Sequence, residues 1–383
     1  MSALRPSARE WLPNVPCDER VLALESDIEG VFAVHEVMLR SRGQVIVFAG
    51  TFMRSPELVF QAITDRFRAR GFVPLLRREG GRDLLVAAPA PAVSGASRPW
   101  RNLALLGATI VSTLMAGTFQ ALPPTTVIAS FDELVRVLVT NWRLGVPFAA
   151  ALLGILGVHE LGHYVVARRY GLDVSLPFFI PFPINLYTGT LGAVIRIRSP
   201  FESRRALFDV GIAGPLAGLI VALPIVALGL MRAEVVELQA GAGVTVFNEP
   251  LLFQWMALLI RGPREAGADF LMNPLLAAGW WGFFITALNL LPVSQLDGGH
   301  ISYAMFGHRH RYVAWAAFAA GAVVALAVNP GYVLLIVLVF AMGVEHPPAL
   351  DDLTPVGRGR QALGALALVL FFLLITPDPL SFG

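Results

Sequence analysis

The stretch ALLGILGVHELGHYVVARRYG, residues 151–171, places three ionisable side chains inside a run otherwise suited to apolar surroundings. About 20 apolar residues cover the ~30 Å of bilayer hydrocarbon, and the run from Leu144 to Ala167 has that length. His159, Glu160 and His163 therefore carry a burial penalty unless they bind something. Positions i and i+4 share a helix face, so His159 and His163 can hold one metal ion through ring nitrogens at roughly 2.0–2.1 Å, as zinc prefers. Glu160 lies beside the first of them and suits a general base that takes a proton from water. By chance, HExxH arises in a chain this long roughly once in a hundred cases, and less often inside an apolar run.

Outward from that stretch, composition agrees with a membrane setting. Of 383 residues, 56% are hydrophobic and 15% charged, against about 25% charged in soluble domains. The mean hydropathy is +0.66. A net charge of +2 implies no attraction to nucleic acid. Cys17 is the only cysteine, which excludes an internal disulfide and a Cys-based zinc site. Residues Met1 to Arg20 mix Arg, Glu, Asp and Pro without an apolar core, so no cleavable signal peptide is expected.

Residues 1–97 read as a small soluble α+β domain with its linker, and 98–383 as a membrane-embedded domain. Gln44 to Phe52 has strand character. Ser55-Pro56 opens a helix over Glu57 to Arg70 that Gly71 stops. Phe72 to Leu76 and Asp83 to Ala87 form two further strands around Gly80-Gly81. Ala88 to Pro99 is the linker. Beyond it, seven apolar stretches follow: Asn102 to Leu122, Leu144 to Ala167, Ala206 to Met231, Pro274 to Leu291, Tyr312 to Val328, Tyr332 to Val344 and Ala362 to Thr376. The sixth is short, so the expectation is a polytopic α-helical membrane protein of about six or seven spans. Asn248 to Ile260 belongs in the interface or a re-entrant turn. With the N-terminal domain cytoplasmic, the inside loops hold twelve arginines and the outside loops five, the distribution favoured by the positive-inside rule.

Two histidines leave a catalytic metal site one protein ligand short. The fourth span ends in Asn289-Leu290-Leu291-Pro292, and Leu296-Asp297-Gly298-Gly299 follows. Asp297 is the only carboxylate between Asp269 and Glu345. It can complete a His₂Asp site that leaves one position open. It can equally cap a following helix, with Gly-Gly as an ordinary turn.

HELGH in one span with NLLP and LDGG in a later one resembles the site-2 protease family of intramembrane zinc metalloproteases. GTLGAVIRIRSP (189–200) and ALFDVGIAGPLAG (206–218) resemble the branch of that family without an inserted PDZ domain. The likeness covers roughly residues 144–300. It implies a three-span catalytic core and one zinc per chain on His159, His163 and Asp297, with Glu160 as base. It further implies cleavage of membrane-spanning protein substrates within the lipid bilayer, and a substrate or transition-state contact at Asn289.

Three prolines in Leu176 to Tyr187 argue against a helix there, and Gly192 to Arg198 alternates at strand period. Such a strand could present an edge to an unwound substrate or be a surface hairpin that only packs. Gly211, Gly214 and Gly218, with Ala213 and Ala217, form a small-residue face for close helix packing. His308 to Arg311 reads as a cytoplasmic anchor, and His346-Pro347-Pro348 as the start of a polar loop. Two other readings stand beside the leading one. One is a membrane metalloprotease acting on surface-exposed segments. The other is a non-enzymatic metal-binding scaffold or transporter, for which no convincing internal repeat is present.

Overall fold

The computed structural model describes residues 18–41, 43–90, 99–123, 126, 128–237, 245–265 and 267–382. They form two compact units. The first holds the N-terminal elements with Pro200–Leu207 and Pro348–Val356, and the second holds the remaining helices. Cys17, nearly all of the Met1 to Arg20 stretch and most of the expected linker lie outside the described residues.

The first unit runs α1 (Glu19–Ile28), β1 (Phe32–Arg40), β2 (Val45–Phe52), α2 (Pro56–Ala69), β3 (Phe72–Glu79) and β4 (Arg82–Pro89). Its antiparallel sheet has the order β1-β2-β4-β3. Pro56 starts α2 at its first helical position. Gly80 and Gly81, at φ 58° and 81°, make the tight turn from β3 to β4 that needs two positive φ values. Strand alternation sends Ile46, Phe48, Leu85 and Ala87 into a core with Leu24, Ile28, Ile63 and Phe67 of the helices. Met38, Val45, Val47, Ala49 and Leu84 cluster on the other face.

The expected strand-helix-strand-strand domain thus gains α1 and β1. A register shift between Val34 and Glu36 breaks the alternation of β1, and α1 is half polar, so neither has a strong local signature. The outer edge of β3 is covered from far along the chain. Leu76 N donates to Leu350 O (2.7 Å), and Leu350 N and Asp351 N donate to Phe201 O and Glu202 O (both 2.9 Å). Pairing with two short parallel segments protects an otherwise bare edge. Leu350, 4% exposed, enters the core of this unit. Arg68–Glu202 (2.9 Å) and Arg205–Glu57 add ion pairs.

The second unit contains α3 (Pro99–Ala121), α4 (Phe131–Thr140), α5 (Val146–Arg169), β5 (Phe178–Pro181), β6 (Thr190–Val194), α6 (Arg204–Arg232, counted from Phe208), β7 (Val235–Glu237), β8 (Thr245–Phe247), α7 (Leu251–Arg261), β9 (Ala268–Phe270), α8 (Pro274–Asn289), α9 (Asp297–Phe306), α10 (His310–Ala327), α11 (Val333–Met342), α12 (Arg358–Leu374) and β10 (Leu380–Phe382). All seven expected apolar stretches are helical. Among the described residues, four helical segments are long and apolar enough to cross a membrane: α3, α5 with its preceding turn, α6, and α9 running into α10. Leu103, Ile220, Leu326 and Phe372 are 67%, 72%, 81% and 64% exposed, as outward side chains are where the solvent is lipid. α8 has 16 residues, about 24 Å at 1.5 Å per residue, and Leu276 through Phe283 are all buried. Toward its end Thr286, Ala287 and Leu290 are buried and Asn289 is partly buried.

Between α5 and α6 the prolines prevent a helix as expected. β5 pairs with β6, Phe178 opposite Val194. The ladder continues irregularly through Ser175 N to Arg196 O (3.0 Å) and Arg198 N to Asp173 O (2.8 Å). Pairing starts at Thr190, two residues before the expected strand.

Leu350→Ala in the full-length chain should destabilise the first unit by about 2–4 kcal/mol, read as a lower first melting transition in detergent. An unchanged transition would show that the segment does not contribute to that core.

Candidate metal centre

One face of α5 carries His159, Glu160 and His163, which are 4%, 5% and 5% exposed. The helical repeat brings His159 Nε2 and His163 Nε2 to 3.1 Å. Asp297, the first residue of α9, reaches both, with Oδ2 3.1 Å from His159 Nε2 and Oδ1 3.2 Å from His163 Nε2. These three residues are the one such group of potential metal ligands among the described residues. For ligands at 2.0–2.1 Å in a tetrahedron, donor separations are roughly 3.3–3.4 Å. The two ring nitrogens are 3.1 Å apart and each is 3.1–3.2 Å from a different oxygen of Asp297, within a few tenths of that figure, and two imidazoles with one carboxylate form a donor set suited to zinc.

Each donor is aimed by a neighbour. His163 Nδ1 donates to Val210 O on α6 at 2.6 Å, which leaves the lone pair of Nε2 facing Asp297. A Cβ on Gly214 would lie 2.0 Å from His163 Nε2, and one on Gly218 would lie 3.2 Å from His159 Nδ1. Gly162 meets Ala213 O in the same way, at 2.6 Å, so α5 and α6 touch backbone to backbone. The small-residue face expected for packing therefore packs against the imidazoles themselves.

Asp297 is placed by a tight turn. Ser294 adopts φ 53°, a conformation that costs a non-glycine residue energy. A Cβ on Gly298 would fall 2.0 Å from Leu290 O, and one on Gly299 would fall 2.3 Å from Ser294 O. Only glycines let the first turn of α9 fold back on the chain leaving α8. Leu296, not Asp297, is the N-cap, and no side chain caps the helix. The capping alternative for Asp297 is thereby excluded.

Asn289 Nδ2 lies 3.3 Å from His159 Nε2, at the rim of the triangle. The backbone of Ile195, just past β6, lies near the Glu160 carboxylate. Two expectations fail nearby. His308 and Arg309 are exposed, but His310 is 1% exposed and bonds Ser302 Oγ through Nδ1 at 2.9 Å, so this run is no simple surface anchor. His346, expected in a polar loop, is 7% exposed and 2.6 Å from His300 Nδ1. Val210 escaped notice because a backbone carbonyl has no sequence signature. The glycines at 214 and 218 did have one, in their spacing of four.

A bundle of apolar helices with a buried His₂Asp triangle defines an integral-membrane protein built around a metal-binding centre. Residues 147–338 match Peptidase family M50. The chain belongs to that family, the site-2 proteases. It is 29% identical over 285 residues to the probable zinc metalloprotease EGY2, chloroplastic, of Arabidopsis thaliana, covering 74% of this chain and 50% of that protein. It is 32% identical over 241 residues to the probable zinc metalloprotease EGY1, chloroplastic, of the same plant (60% and 42%). Rice EGY2, from Oryza sativa subsp. indica, is 26% identical over 347 residues (88% and 62%). The chain spans roughly half the length of these curated relatives.

Gly214→Ala should remove bound zinc from the purified protein, while Gly218→Ala, with its wider clearance, should weaken it far less. Zinc content by atomic emission checks the order; equal retention in both variants would refute the packing argument.

Proposed function

We propose that this chain is a zinc metalloendopeptidase that hydrolyses peptide bonds within or near the transmembrane segments of membrane protein substrates, holding one zinc on His159, His163 and Asp297. The observation that carries this reading is the meeting of three donor residues, with the two ring nitrogens 3.1 Å apart and each 3.1–3.2 Å from one oxygen of Asp297, and Glu160 next to them on a helix of membrane-crossing length. The family and the names of the relatives support the zinc.

When bound, zinc supplies a Lewis acid that makes water a competent nucleophile at neutral pH and polarises the scissile carbonyl. The protein's own groups do the rest. Glu160 takes a proton from the attacking water and delivers it to the leaving amine. Asn289 donates through Nδ2 toward the carbonyl oxygen of the substrate. Val210 and the glycines of α6 keep both imidazoles in one orientation. His163 lies six residues from Arg169 at the end of α5, about 9 Å along the axis, so water enters from that end. The β5–β6 hairpin adjoins Glu160 through Ile195, which suits an edge that pairs with an unwound substrate. A peptidase acting on surface-exposed segments would not need its base and ligands so deeply buried.

The same reading takes α8 and α12 as further crossings beside α3, α5, α6 and α10, six in all, or seven with the short α11. It keeps residues 1–97 as a soluble domain and 98–383 as the membrane domain, with a catalytic core at about 144–300. The N-terminal domain faces the cytoplasm, as the twelve-to-five distribution of arginines favours.

Glu160→Gln should lower cleavage of a membrane-spanning reporter by about 10²–10⁴-fold with zinc content unchanged, and Asp297→Ala should lose both. Full cleavage by Glu160→Gln in proteoliposomes would remove it as the base.

A further inference from the structure

Asp297 stands at the first residue of its helix, unlike the two histidines well inside α5, and two contacts bracket it. Three residues before it, Ser294 N donates to Val344 O at 2.7 Å. Three residues after it, His300 Nδ1 and His346 Nε2 share a 2.6 Å hydrogen bond. Both partners come from the short Val344–His346 segment that follows α11. We propose that this segment is a clamp for the third metal ligand, with His346 as its positioning residue.

The surroundings fit a clamp better than a general packing role. From α6, a Cβ on Gly211 would lie 2.7 Å from His300 Cβ and 3.4 Å from Asp297 O, so the same turn also touches α6. The turn is therefore held by both α6 and His346 and can shift only if one of them yields. The preceding loop is held by apolar packing, with Val293 and Val344 in one cluster with Ala314 and Val339 and with Leu291 and Leu296 against it. That packing resists pulling the loop away from the bundle but does not set the rotation of α9 about its axis. The His300–His346 bond does, because it is directional and lies almost one helical turn from Asp297.

His346 is itself well located. Its ring lies 5.1 Å from that of Tyr303 at 35° and 6.4 Å from that of His310 at 86°. Burial, and after it His300 and His310, hold its imidazole well below its ordinary pKa. A neutral ring offers one N–H and one lone pair, which is what a single bond to another neutral imidazole requires. His310 provides the contrast. It is buried in the same cluster and also bonds α9, but at Ser302, five residues beyond Asp297 and on no bracket.

This inference rests on Asp297 being a zinc ligand, and the experiment separates the two. Zinc affinity of the detergent-purified full-length chain is measured by chelator competition for wild type, Asp297→Ala, His346→Met, His346→Gln and His310→Met. His346→Met fills the space without the bond, and it should weaken zinc about tenfold or more, whereas His346→Gln, which can remake the bond, should stay near wild type. His310→Met should lower the melting temperature as much as His346→Met does and leave zinc affinity unchanged. With cobalt in place of zinc, the visible ligand-field band should shift in His346→Met and not in His310→Met. Wild-type affinity in His346→Met, or equal weakening in His346→Gln or His310→Met, overturns the clamp. Wild-type protein that binds no zinc, or Asp297→Ala that binds it fully, overturns the metal site instead. Should His346→Met not fold, His346→Leu takes its place.

Discussion

Two imidazole nitrogens 3.1 Å apart, each 3.1–3.2 Å from one oxygen of the same carboxylate, constrain everything packed around them in an apolar helix bundle. Two imidazoles and a carboxylate at that spacing are stable only if each is held by its neighbours and shares its remaining polarity with a partner. The bundle meets that demand with backbone more than with side chains. Val210 offers a carbonyl, Gly214 and Gly218 offer clearance, and the turn before Asp297 offers main chain that only Gly298 and Gly299 can approach. The helices come as close as they do because the residues between them are small.

Helix length contributes as much as composition. At 24 residues α5 is about 36 Å long, roughly one turn more than the ~30 Å layer. α8, at 16 residues, is shorter, and the reversing turn and the start of α9 follow directly on its Asn289 end. The strain at Ser294, with its positive φ, is local, and neighbouring contacts on both sides of the turn hold it in place.

The first unit is put together by another rule. Its sheet follows strand alternation and tight-turn chemistry, yet the edge of β3 is completed by residues near 202 and 350. Its core contains Leu350, so an account of this unit from the first hundred residues alone is incomplete. Pairing between segments hundreds of positions apart leaves no periodic trace in either, and for that reason hydropathy and propensity found β2, α2, β3 and β4 but not the covered edge. The bulged β1 and half-polar α1 were lost for a related reason, since each departs from the repeat that identifies its kind.

By itself the sequence determined the membrane character, the seven helical stretches and the pairing of His159 with His163, because hydropathy and the 3.6-residue repeat act over one helix at most. It also named Asp297 and Asn289 as partners, but left open whether Asp297 caps a helix or joins the histidines. Only the tertiary structure decided that. It brought Asp297 to 3.1 Å from a residue 138 positions away, made Leu296 the N-cap, and turned His310 and His346 from expected surface groups into buried ones. Distances of that kind are set by how closely helices approach and where one of them ends. Those follow from the packing of many residues at once, and no local pattern encodes them.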